Sequence, residues 1–132
     1  MTKPIKGHCL CGAVRFEVAG AIRAVVHCHC GSCRRATSSP ITTFVIVDRA
    51  GLLLTAARPK VHRSSKGVRR SFCGTCGSPI AYETDRRPAD VDLYACAFED
   101  PAAFTPESHY HAAERVPWLV LANDLPHHGP GG

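Results

Sequence analysis

The sequence predicts an all-β fold in a single domain. Three observations carry that reading. Short runs rich in β-branched residues recur along the chain, and several alternate apolar with polar side chains, the period of a half-buried strand. No long amphipathic helical pattern interrupts them. Eight cysteines, at 9, 11, 28, 30, 33, 73, 76 and 96, fall mostly in short glycine-flanked knuckles that suit a metal ion better than one another.

The elements follow in order. Cys9-Leu10-Cys11-Gly12 is a C-x-C knuckle. Val14, Phe16 and Val18 alternate with Arg15 and Glu17 to make a strand, ended by Gly20. Residues 22–27 read as a second strand that delivers the chain into His27-Cys28-His29-Cys30-Gly31-Ser32-Cys33-Arg34-Arg35. Residues 36–40 form a polar loop or short helical turn. Residues 41–47 are the clearest strand, β-branched almost throughout, and 52–55 continue as another. Ser64-Ser65-Lys66-Gly67 reads as a hairpin turn inside a basic run from Arg58 to Arg70. Cys73-Gly74-Thr75-Cys76-Gly77 is a C-x-x-C knuckle, followed by strands over 78–83 and 91–98. Asp100 and Pro101 suit the start of a single helical turn. Trp118 reads as a core anchor.

At 132 residues the chain is long enough for one domain, 1–132, with a modest core and a disordered tail over 127–132. There is no apolar run long enough for a membrane helix. Residues 1–6 lack the apolar stretch of a signal peptide, so the expected location is the reducing cytoplasm, where clustered cysteines favour metal over disulfides. The formal net charge of +5 invites a nucleic-acid reading. Two zinc ions held by seven thiolates would lower it to about +2, which removes most of that argument.

The cysteines divide most simply into four plus three. Cys9, Cys11, Cys73 and Cys76 supply the four ligands of a closed structural zinc. Cys28, Cys30 and Cys33 supply three thiolates and leave a fourth position for water or substrate, the plan of a catalytic zinc. Spacing also permits a zinc ribbon from Cys30/Cys33 with Cys73/Cys76, which would leave Cys9, Cys11 and Cys28 without a pattern. A fourth ligand from His109 or His111 would instead make the second site closed. Cys96 stands alone in an apolar stretch and reads as a buried small hydrophobe.

The order Cys9-x-Cys11-Gly12, Cys28-x-Cys30-x-x-Cys33-Arg34, Cys73-x-x-Cys76-Gly77 and Pro117-Trp118 resembles the glutathione-dependent formaldehyde-activating enzymes, also called the Gfa-like or centromere protein V family. The resemblance runs from about His8 to Pro126. It implies an Mss4-like β-tent with zinc-binding knuckles, a structural zinc on Cys9, Cys11, Cys73 and Cys76, and a catalytic zinc on Cys28, Cys30 and Cys33. The implied activity is that of a carbon–sulfur lyase similar to S-(hydroxymethyl)glutathione synthase. Its substrates would be a small thiol such as glutathione and formaldehyde or a related carbonyl.

In such a reaction the thiol binds the open metal position as thiolate and attacks the carbonyl carbon. Arg34 and Arg35 are candidates to meet the alkoxide or a substrate carboxylate, and His29, between two ligands, to shuttle a proton. Two other functions compete. A non-catalytic zinc module could use the basic run from Arg58 to Arg70 to bind nucleic acid or a protein, but that run lacks interleaved aromatics. A redox enzyme would need a free, low-pKa cysteine, for which Cys96 is the one candidate outside the knuckles.

Overall fold

The computed structural model describes residues 3–121 and 124–129. Strand outweighs helix, 42% to 15%, so the all-β expectation holds. Eleven strands are named here in chain order. They are β1 (Ile5–His8), β2 (Arg15–Val18), β3 (Ile22–Cys28), β4 (Thr42–Asp48), β5 (Leu52–Leu54), β6 (Lys60–Ser65), β7 (Val68–Phe72), β8 (Pro79–Thr84), β9 (Asp90–Tyr94), β10 (Ser108–Tyr110) and β11 (His127–His128). One short helix, α1 (Gly31–Thr37), follows β3.

Two sheets form. The smaller runs β1-β2-β5, and the larger β11-β10-β3-β4-β9-β8-β7-β6. Pairing is antiparallel except where β10 lies parallel to both β3 and β11. Strand alternation sorts the side chains of the large sheet onto two faces. Val25, Val45 and Leu93 stand opposite one another on adjacent strands and join Val14, Phe16, Val18 and Ile80 in the core between the sheets. Val26, Phe44 and Tyr94 stand opposite one another on the other face, with Cys28 and Cys33. A second row there crosses six strands, from Ala24 and Ile46 through Asp92, Tyr82 and Arg70 to His62. That second face is the floor of the site described below.

Gly7 lets the sheets close. A Cβ at this position would meet the Phe16 ring and come within 2.6 Å of the Ala97 carbonyl oxygen. Phe98 packs edge-on to Phe16 at 5.2 Å and to Phe104 at 4.7 Å, and seals this end of the core. Trp118 is therefore not needed as an anchor and is 72% exposed, contrary to the expectation from sequence.

Other expectations shift in instructive ways. The expected strand over 91–98 ends at Tyr94, and a 3₁₀ turn at Ala95–Ala97 follows. Ala95 turns inward, so Cys96 is exposed rather than buried. The helical turn expected after the cysteine loop begins inside it, at Gly31. β1 was not foreseen, because four residues with a central glycine give no periodic signal. The tail expected to be disordered contains β11, since the His109 N–H donates to the Pro126 carbonyl at 2.7 Å and the His111 N–H to that of His128 at 3.1 Å. Residues 130–132 of that tail lie outside the described residues. Among the described residues no helix is long and apolar enough to cross a membrane.

Candidate metal centre and active-site cleft

The two cysteine groups come together as four and three. Cys9 and Cys11 lie on the β1–β2 connection, and Cys73 and Cys76 on the β7–β8 connection. The first centre thus ties the small sheet to the large one. Gly12 and Gly77 close the two knuckles at φ of +80° and +79°, a conformation glycine adopts without strain. Within each group all Sγ atoms lie inside 4.8 Å of one another. Cys9–Cys11 and Cys11–Cys73 are 3.6 and 3.8 Å apart, and Cys28–Cys33 3.7 Å. Disulfides need about 2.05 Å. Four sulfurs placed tetrahedrally at about 2.3 Å from a metal are about 3.8 Å apart, so the spacing fits metal–thiolate coordination. Both clusters could hold metal ions, and the zinc-ribbon grouping is not formed. Among the described residues neither His109 nor His111 joins the three-cysteine group.

Backbone N–H groups prepare the four-cysteine centre for thiolates. Val14 N–H donates to Cys9 Sγ at 3.3 Å, and those of Thr75 and Cys76 to Cys73 Sγ at 3.4 and 3.5 Å. The Ser78 hydroxyl, 3.1 Å from Cys76 Sγ, is the chief cause that brings the Cys76 thiol down to about 5. Burial works to raise the Cys9 thiol, but the Val14 N–H and the neighbouring thiols outweigh it and leave it below its ordinary value.

The three-cysteine centre is built at a strand-to-helix junction. Cys28 ends β3, Cys30 caps α1, and Cys33 lies in its first turn. The Cys33 N–H donates to Cys30 Sγ at 3.3 Å. Contacts from the Cys28 and Cys33 thiols bring Cys30 down to about 2, and the same Cys30 contact is the largest cause that raises Cys28. Cys28 and Cys33 are buried, whereas Cys30 is half-exposed.

All three cysteines line a cleft of about 880 Å³ above the large sheet. Val26, Phe44, Ile46 and Tyr82 supply an apolar floor. His111 and Glu114 stand on the wall, with His111 Nδ1 3.3 Å from a Glu114 carboxylate oxygen. The cleft's carboxylates are engaged. Asp92 takes a bidentate contact from Arg87 at 2.7 and 2.9 Å, and Asp90 accepts from Arg23 at 2.7 Å.

The sequence-derived candidates separate here. Arg35 lines the cleft. Arg34 donates to the His29 carbonyl oxygen at 3.4 Å and to the Glu114 carbonyl oxygen, so it fastens the cysteine loop to the Ala112–Glu114 turn. His29 is 4% exposed and turned away from the cleft lining, with Nε2 2.8 Å from His109 Nδ1. Burial, then the charge of His109, brings it down to about 4. Sequence reasoning missed Arg70, whose Nη1 is 3.8 Å from Cys33 Sγ. Its signal was strand alternation next to Arg69, which turns to Asp85 instead at 2.7 Å.

Comparisons with known proteins agree with this geometry. The sequence is 29% identical over 91 residues to an uncharacterized lyase of Schizosaccharomyces pombe, covering 67% of this chain and 66% of the relative. The chain thus spans about two thirds of the length of that curated relative. A solved Rhodobacter sphaeroides protein from a structural genomics programme superposes with a TM-score of 0.61 at 22% identity, over 72% of this chain and 88% of that one, and shares the fold. The profile of the glutathione-dependent formaldehyde-activating enzymes matches residues 4–114, and with both cysteine groups in place the chain belongs to that family.

Proposed function

We propose that the protein is a zinc-dependent carbon–sulfur lyase that joins a small thiol, such as glutathione, to formaldehyde or a related small carbonyl. One observation carries this reading: the three-cysteine centre opens onto the cleft through Cys30, and four cysteines complete the other centre by themselves. Cys9, Cys11, Cys73 and Cys76 would hold a structural zinc, and Cys28, Cys30 and Cys33 a catalytic one. A zinc bound there would supply a coordination position that deprotonates the substrate thiol.

The chain's own residues supply the rest. The apolar floor of Val26, Phe44, Ile46 and Tyr82 would lie against the reacting carbon. A carbon–sulfur bond forms, the carbonyl π pair moves to oxygen, and the thiol proton must end on that oxygen. His111, oriented by Glu114, stands on the cleft wall to take and return that proton. Arg35, which lines the cleft, would meet the oxygen or a substrate carboxylate. Arg34 and His29 hold the ligand loop rather than touch substrate.

The test uses ¹³C-formaldehyde and glutathione, with exchange between free aldehyde and thiol adduct followed by NMR. The zinc-loaded protein should accelerate that exchange, and His111→Gln should slow it at least tenfold. No acceleration with glutathione or with any of several small thiols would overturn the reading.

A further inference from the structure

Three thiolates around a dication leave one net negative charge, and an entering substrate thiolate would double it. Cys28 and Cys33 are buried, so that repulsion is poorly screened. A cation close by favours a fourth ligand that is anionic over one that is neutral. Among the described residues, Arg70 is the cationic side chain whose hydrogen bonds reach a sulfur of this centre, with Nη1 3.8 Å and Nη2 4.0 Å from Cys33 Sγ.

Its position is built rather than incidental. β7 presents Arg70 on the cleft face, directly across from Tyr82 on β8. The guanidinium carbon lies over the Tyr82 ring, 5.0 Å from its centroid, a cation–π contact that helps hold the side chain on the cleft face. Arg23 and Arg87, also in the cleft, are neutralised by Asp48, Asp90 and Asp92. No ion pair to a carboxylate is formed by Arg70 among the described residues.

We propose that Arg70 is the positioning charge that lets the three-cysteine centre accept a thiolate as its fourth ligand, by offsetting the charge that this ligand adds. The inference rests on the reading of that centre as an open metal site. It acts on ligand charge and not on ligand size, so it selects anionic over neutral ligands. Arg34 and Arg35 do not fill this role, because neither has a hydrogen bond to a site sulfur among the described residues.

The test loads the full chain with Co²⁺ and titrates it with 2-mercaptoethanol or with neutral imidazole. Changes in ligand-to-cobalt absorption are read over the constant background of the four-cysteine centre. Arg70→Gln should weaken thiol binding about tenfold and leave imidazole binding within twofold of the unchanged chain. Arg70→Lys should recover most of the loss. Should Arg70→Gln not take up cobalt, Tyr82→Leu, which removes the ring under the guanidinium, should still weaken thiol selectively by severalfold. Equal weakening of both ligands, or none, overturns the inference. If the unchanged chain binds neither ligand, the open-site reading beneath it is what fails.

Discussion

His29 Nε2 lies 2.8 Å from His109 Nδ1, with both rings buried. The bond joins the metal-ligand loop to β10, and the parallel register places His109 beside His27 as well. His29 Nδ1 is already buried without a hydrogen-bond partner, so loss of His109 would orphan both nitrogens of one ring. His109→Ala should therefore cost about 2–3 kcal/mol in chemical denaturation of the metal-loaded protein. The same burial sets a pH dependence. His29 titrates at about 4 in the fold against 6.5 when free. Its folded-state pKa is depressed, so the unfolded chain binds more protons between those values and stability falls as pH drops through that window. The stability difference between the unchanged chain and His29→Asn should shrink from about pH 6.5 to about 4 and stay flat above. A difference flat throughout would contradict a buried neutral His29.

Gly7 is fixed by what surrounds it rather than by its backbone angles. Gly7→Ala should cost at least about 2 kcal/mol, because the added methyl meets the Phe16 ring and the Ala97 carbonyl together. Thermal unfolding measures this, and a shift in Tm of under a degree would contradict the close approach.

Asp92 is buried on the cleft lining, where the half-buried Arg87 pairs with it. Desolvation pushes the Asp92 carboxyl up, and Arg87 pulls it down without fully compensating. Removal of the guanidinium leaves an uncompensated buried acid, so Arg87→Ala should destabilise the fold by about 3 kcal/mol. Replacement of both, as Arg87→Met with Asp92→Leu, should recover much of that loss. Equal stability of the single and double variants would contradict this.

Much of the architecture was legible because sequence period and structural period coincide. Residues 41–47 are so rich in β-branched side chains that β4 differs from its reading by one residue at each end. The cysteine knuckles announced both centres because C-x-C and C-x-x-C turns return to one point. Cys96 and Trp118 misled because apolar neighbours in sequence did not set their exposure. A 3₁₀ turn replaces the last part of the expected strand, and Phe98 packs against Phe16 and Phe104 at one end of the core while Trp118 stays exposed. Arg70 was hidden in a basic run. Only the pairing of β7 with β8 shows that it faces Cys33 while Arg69 faces Asp85.

The central claim is that one chain holds a closed and an open metal centre with different duties. Native mass spectrometry of three proteins tests it most directly: the unchanged chain, Cys30→Ser and Cys73→Ser. The account predicts two zinc ions in the first. Cys30→Ser should lose one, stay folded and form no glutathione complex. Cys73→Ser should lose its zinc together with the docking of the small sheet, seen as a broadened charge-state distribution. Retention of both ions by a folded Cys30→Ser would contradict the account.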